Sequence, residues 1–423
     1  MKRKFAILLS AMLLMQAVCG CGGAASSGTS SASASTDSTA SKSSEKAVIV
    51  TDEQDFTHEN GITRLAKEIY GDLNVEFFVL SEDTQERETQ ISSLRVEIMA
   101  GGGPDGYLLS SPTSNMTFNG EGHPATLFPD VQRTMQAGAF LPLDDYIKES
   151  EYLRSEDHFA PVFDTGKTDE GQVVLPITYY ASVFLLDKAQ LADPDFTPKT
   201  WDELVNCEDT AVLKVVRNNL YTWCGAGIPR IADYTTEKTI LTEENLTAQF
   251  EDLLAMPASE SFDEETALIQ SGSYAQTDEG MAYYAQNQDT VNALAIPNTE
   301  GGVTAFITSY AAINRNSPKA DEVFRFFELL FSDEAQIDTE TVNDARGTLL
   351  MLGNVNSFLT HKNAYLQPEL LESVQSRVNA VRFYSVMDYT IYDTATTLTC
   401  EENPDCAAAA HSVIEALQTR LSE

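Results

Sequence analysis

Gly166-Lys167-Thr168 imitates the tail of a phosphate-binding loop, but the leading glycine of such a loop would stand at position 161, and the chain has Pro161 there. The cradle of backbone N–H groups is therefore absent. The five histidines, His58, His123, His158, His361 and His411, never take the His-Glu-x-x-His spacing that sets two imidazoles on one helix face over zinc. No Gly-x-Ser-x-Gly nucleophile elbow occurs. Paired carboxylates such as Asp144-Asp145 carry little signal among 64 acidic residues, and the two distant carboxylates of a glycosidase would leave no local pattern. The cysteine chemistry is more informative. A basic tip of Lys2, Arg3 and Lys4 precedes an apolar run from Phe5 to Val18 and then Cys19-Gly20-Cys21-Gly22. That order is an export signal ending at a cysteine, since a small residue before the cysteine permits cleavage.

Val18-Cys19-Gly20-Cys21 resembles the lipobox of bacterial lipoproteins, in which the signal is cut before a cysteine that carries lipid. Gly20 at the cleavage position favours Cys21 over Cys19, which follows the branched Val18. Residues 1–20 are then the signal peptide, because the apolar run is short of the roughly 20 residues that a span needs. Residues 21–46 are the lipidated Cys21 and a leash of Ser, Ala, Thr and Gly, with too few large apolar groups to bury anything. The bulk of the protein is expected on the extracellular face of the cell membrane, held there by one end.

The folded part begins at Ala47-Val48-Ile49-Val50, the first run that could form a buried strand. Helical spacing follows at Ile62, Leu65, Ala66 and Ile69, then a strand over 73–80 and a helix over 86–100. Gly101-Gly102-Gly103-Pro104-Asp105 stops that helix and turns into a strand at Tyr107-Leu108-Leu109. Later come a strand over 183–186, a capped helix start at Thr200-Trp201-Asp202-Glu203-Leu204, a helix over 323–331 and a last helix over 407–421. Trp201, at a capped helix start, suits packing. Alternating helices and strands predict an α/β protein, and the length beyond Ala47 is enough for two lobes.

The chain carries a net charge of −37, and loss of the signal makes it more negative still. Such a surface repels nucleic acid and anionic lipid headgroups. Cys207, Cys224, Cys400 and Cys406 are too few for a disulfide scaffold and lack the Cys-x-x-Cys pairs of a zinc site. One or two bridges could form, with Cys400 to Cys406 the simplest. No cofactor and no metal are expected.

The stretch LRVEIMAGGGPDGYLL from Leu94 to Leu109, the stretch FPDVQRTMQAGAFLPLDDYI from Phe128 to Ile147, Leu175-Pro176, the run Lys199 to Leu204 and the segment Ala311 to Gln336 follow one another in a telling order. In these residues the chain resembles the extracellular solute-binding proteins of bacterial ABC importers, in particular the sugar-binding branch, family 1. The resemblance covers most of residues 47–423. It implies an α/β, two-lobed periplasmic-binding-protein-like fold with a hinge and a central cleft that closes over solute. The crossings would lie near Ile177 and Thr178, Gly301 and Gly302, and Val374. The first lobe is then residues 47–177 plus 303–374, and the second is residues 178–302 plus 375–423.

A sugar site needs aromatic rings for the C–H faces and planar polar groups for the hydroxyls. By resemblance the cleft would be lined by Asp52, Gln54, Asp55, Ser110, Ser111 and Asn115 on the first lobe. Tyr179, Tyr180, Tyr221, Trp223, Tyr283 and Tyr284, with Tyr310 and Tyr389, would supply the rings. Thr308-Ser309-Tyr310 stands where the family often has small glycines, so Tyr310 is expected to narrow the cleft against a long oligosaccharide. The expected function is capture of a mono- or oligosaccharide and its delivery to an ABC permease by a monomeric binding protein that is not an enzyme. A peptide or polyamine solute, or an anchored surface enzyme or adhesin, are the alternatives.

Overall fold

Ala47–Thr51 forms β1, flanked on both sides by parallel partners: β2 (Val75–Val79), with Ile49 opposite Phe77, and β3 (Gly106–Ser110), with Val50 opposite Tyr107. The computed structural model describes residues 46–71, 73–111, 125–218, 225–257, 278–337, 344–352 and 357–422. Two βα units build this region. The helix Gly61–Tyr70 is held at its start by a reciprocal cap between Asn60 and Thr63, and the helix Thr84–Met99 is capped by Asp83. Gly101 and Gly103 adopt positive φ in the turn to β3, the left-handed backbone that glycine tolerates.

Besides two short hairpins, Lys167–Thr168 with Gly171–Gln172 and Ala232–Asp233 with Lys238–Thr239, the other strands are β4 (Leu175–Ala181), β5 (Val183–Asp187), β6 (Val291–Ala295), β7 (Val303–Ile313), β8 (Phe358–Leu359) and β9 (Val378–Phe383). A seven-stranded sheet runs β8-β4-β7-β3-β1-β2, with β9 also paired to β7. Strand β7 is 11 residues long and buried throughout. Its second half pairs antiparallel with β3, and its first half pairs parallel with β9. This differs from the lobe boundaries expected from sequence. The position expected for the first crossing lies inside β4, which stays paired to β7 as far as Ala181. Residues 378–383, expected in the second lobe, lie in the large sheet as β9. They satisfy backbone groups of β7 that β3 is too short to reach.

Two apolar cores form. The first gathers around the large sheet, with Ile49, Leu108, Ile177, Ile307 and Phe327. The second holds Trp201, Leu204, Phe250, Leu294, Ile391 and Leu417, and packs the helix Glu243–Ala255 against the helix Cys406–Ser422. The β5–β6 ribbon lies between them. Val183 and Leu185 enter the first core while Phe184 and Leu186 enter the second, as the twofold side-chain period of a strand dictates. The chain passes from one core to the other at Ser182, at Ile296 to Gly302 and at Tyr384-Ser385, and the first two passages are joined by Ile296 N–H donating to the Ser182 carbonyl, 2.9 Å. Cys207, Cys400 and Cys406 are free thiols, so Cys400 and Cys406 are not bridged; Cys224 lies outside the described residues. Among the described residues no helix is long and apolar enough to cross a membrane.

Candidate functional site

In the order β2-β1-β3 the chain leaves β1 toward one neighbour and returns on its other side. The order therefore switches at β1, and a switch point of this kind is where an α/β sheet places a ligand crevice, beyond the carboxyl ends of its strands. Asp52 stands at that point. Its Oδ1 accepts from both the backbone N–H and the hydroxyl of Ser110, each at 3.0 Å, which ties the ends of β1 and β3 together. Arg87 Nη2 lies 3.7 Å from Oδ2, and both side chains are almost wholly buried, with 7% of Arg87 and 3% of Asp52 exposed. Burial pushes the Asp52 carboxyl above its ordinary value, against the opposing pull of Arg87 and Ser110.

Gln54 and Asp55 follow, half-buried, in the short 3₁₀ helix Gln54–Thr57. Gln54 Nε2 donates to the Leu80 carbonyl, 2.8 Å, and the Asp55 carboxylate accepts from Thr348 Oγ1 and pairs with His58, each at 3.2 Å. Ser111 is fully buried, donating from its hydroxyl to the Ile307 carbonyl at 2.6 Å and from its N–H to Thr308 at 2.7 Å. It fastens β3 to β7 and does not face the crevice as expected. Beside it, Thr178, Thr308, Ser309 and Ser357 join β4, β7 and the residue before β8 through buried hydroxyl contacts of 2.5 to 2.8 Å.

The expected aromatics separate into two kinds. Tyr179 has no exposed surface; its ring packs between Phe159 and Phe358, and its hydroxyl accepts from Gln375 at 2.8 Å. Tyr310 is 1% exposed and packs edge-on against Phe383. Both belong to the first core, Tyr179 by its place in β4 and Tyr310 because β7 is packed on both faces. The expectation that Tyr310 narrows a cleft is thereby corrected. Tyr180, on the other face of β4, is half-buried and stands opposite Phe306. Arg382 lies over the Phe306 ring at 4.6 Å, and Tyr384 meets its edge at 5.8 Å. Ser182 Oγ donates to the Tyr180 hydroxyl, 3.4 Å.

A segment packed with the second core sits on this aromatic face. Thr304 Oγ1 donates to the Ala226 carbonyl, 3.0 Å, and a Cβ on Gly225 would lie 3.1 Å from the Phe306 ring. Tyr389 is half-buried on the helix Val386–Cys400, with its ring 5.8 Å from Tyr392. Tyr284 is half-buried against the first core, while its neighbour Tyr283 is exposed. Asn115, Tyr221 and Trp223 lie outside the described residues. The structure thus brings Asp52, Gln54, Asp55 and Ser110 together at one strand edge, and sets Tyr180 at the passage between the cores. Sequence reasoning missed Arg87, Phe306, Arg382 and Tyr384. A charged residue inside the apolar run Val381-Arg382-Phe383-Tyr384 was the available signal for the last group.

Residues 57–337 match the family model for bacterial extracellular solute-binding proteins, and the chain belongs to that family. Solved structures of similar fold include the sugar-binding protein MalE of Xanthomonas citri, at 11% identity and a TM-score of 0.58, covering 89% of this chain and 97% of that one. A family 1 extracellular solute-binding protein of Alicyclobacillus acidocaldarius aligns at 13% identity and a TM-score of 0.52, covering 89% and 98%. The GacH receptor of Streptomyces glaucescens, solved unliganded and with acarbose, aligns at 10% identity and 0.51, covering 90% and 100%. No curated protein matches the chain in sequence. The fold is thus the two-lobed α/β fold of periplasmic binding proteins, with hinge and central cleft.

Proposed function

We propose that this solute-binding protein captures a mono- or oligosaccharide in the crevice after β1 and β3, closes its lobes over it and delivers it to an ABC permease. The observation that carries the reading is the family match, supported by the partly exposed polar side chains of Gln54, Asp55 and Ser110 beyond the ends of β1 and β3 and by the half-buried ring of Tyr180 at the passage between the cores. Hydroxyl-rich solutes call for that pairing of planar polar groups with ring faces. The sugar-binding protein MalE and the acarbose complex of GacH, both of this fold, support the saccharide class. We place the lobe boundaries at Ser182, at Ile296 to Gly302 and at Tyr384-Ser385, where the chain passes between the two cores. The protein would act as a monomer, anchored outside the membrane by lipid on Cys21.

The net charge of −37 favours a second reading, a cationic solute such as a polyamine. Small-angle scattering of the protein before and after addition of a pool of mono- and oligosaccharides tests the choice. A fall in the radius of gyration is the expected result; compaction with polyamines or peptides alone would go against the saccharide. Replacement of Cys21 by Ser is expected to move the protein from the membrane fraction to the medium, and a variant that stays with the membrane contradicts the anchor.

A further inference from the structure

The two cores meet at a cluster of four polar side chains that solute capture as described does not use. Arg382 on β9 and Asp388 in the first turn of the helix Val386–Cys400 form an ion pair at 2.5 Å, with 7% and 2% of their side chains exposed. Arg382 belongs to the large sheet, and the helix carrying Asp388 buries Met387, Ile391 and Leu398 in the second core. Arg382 Nη2 also donates to the Ile228 carbonyl at 3.3 Å, and Asp388 Oδ2 accepts from Ser385 N–H at 2.9 Å.

Beside this pair lies Asp130, which caps the helix Val131–Gln136 of the first core through the Arg133 N–H, 3.1 Å, and is 8% exposed. The Tyr234 hydroxyl, from a segment packed on the second core, lies against its carboxylate. Val386 N–H donates to the Pro129 carbonyl at 3.2 Å, so backbone as well as side chains joins the two cores here.

We propose that Asp130, Tyr234, Arg382 and Asp388 form a proton-sensitive latch between the lobes, which tightens when Asp130 is protonated. Arg382 and Asp388 neutralise one another, while Asp130 keeps its Oδ2 buried in the seam without a hydrogen-bond partner. The groups facing it are Arg133 from its own helix, Tyr234 from the opposing segment and Asp388 from the helix Val386–Cys400, with Arg382 beyond. Burial raises the Asp130 carboxyl above its ordinary 3.8, and Asp388 adds to the rise; the Arg133 N–H, Tyr234 and the Arg133 charge oppose it. Parting the lobes takes Tyr234 and Asp388 away and returns Asp130 to water. The latched state therefore binds the proton more tightly. Its extra stability is complete below the ordinary carboxylate range and is lost as pH rises through the raised value, each unit of difference being worth about tenfold in the latching equilibrium.

Backbone hydrogen exchange of the full chain without solute, read by mass spectrometry, tests this. After correction for intrinsic exchange, protection at Val386 should be several-fold greater at about pH 5 than at about pH 8, in keeping with about tenfold per unit. Asp130→Asn should show the acid-level protection at both pH values. Tyr234→Phe removes a group that favours the charged carboxylate, so its transition should move to higher pH. Buried strand β7 reports whether each variant is folded. Protection at Val386 that ignores pH in the wild type, or an Asp130→Asn variant that keeps the wild-type pH dependence, overturns the latch. The inference rests on the closing lobes proposed above, but the exchange needs no solute. A failed solute screen and a failed latch are therefore separate results.

Discussion

Tyr179 and Tyr180 are neighbours of one residue type, and a strand's alternation gives them opposite work. Tyr179 is a packed core ring and Tyr180 a half-buried ring at the passage between the cores. Tyr179→Ala is expected to cost about 3 to 5 kcal/mol of stability in urea unfolding. Tyr180→Ala should leave the unfolding midpoint nearly unchanged and weaken saccharide binding by about tenfold in titration calorimetry. The reverse pattern would mean that the two faces of β4 have been misassigned. Asp52 is a different case, since its carboxylate holds Ser110 while opposing Arg87. Asp52→Ala should destabilise the fold by about 3 kcal/mol, because it strands a buried guanidinium and two donors, whereas Asp52→Asn should cost less by keeping an acceptor oxygen. Equal costs for the two would show that charge alone matters there. The sequence could rank neither residue, because which face of β4 is packed depends on partners far along the chain.

At the scale of elements, periodicity and punctuation were readable. The strand at Ala47, the helices at 61–70, 84–99 and 406–422, and the glycine turn before β3 stand within about three residues of where apolar spacing put them. The Thr200 cap also forms, with Thr200 Oγ1 accepting from Glu203 N–H at 3.2 Å, although the Glu203 carboxylate reaches Lys199 N–H and not that of Thr200. The full length of β7 and the place of β9 were not readable, because both depend on pairing between distant segments, which local spacing does not encode. One long-range contact carries a pH prediction. His158 and His361 join two loops as an isolated bridge, with their rings 5.6 Å apart. His158 is fully buried, stacked on Phe163, and burial pushes it down to about 4. Because its folded value is depressed, its contribution to stability is present above the ordinary 6.5 and is lost as pH falls toward about 4. Urea unfolding should show about 2 kcal/mol less stability at pH 5 than at pH 7, and His158→Phe should remove most of that difference. A variant with the wild-type slope would place the titrating group elsewhere.

For the whole molecule, two cores are joined at three passages, with a ribbon feeding alternate side chains to both, and the lobes are proposed to turn about that seam. The capture of a saccharide by that motion is the central claim. A thermal-shift screen of the full chain against saccharides, amino acids, peptides and polyamines tests it most directly, since a ligand that binds only the folded state raises its melting point. The account predicts a concentration-dependent rise with one class of mono- or oligosaccharide and none with the other classes. A rise confined to peptides or polyamines, or a well-folded sample that responds to no saccharide, would contradict it.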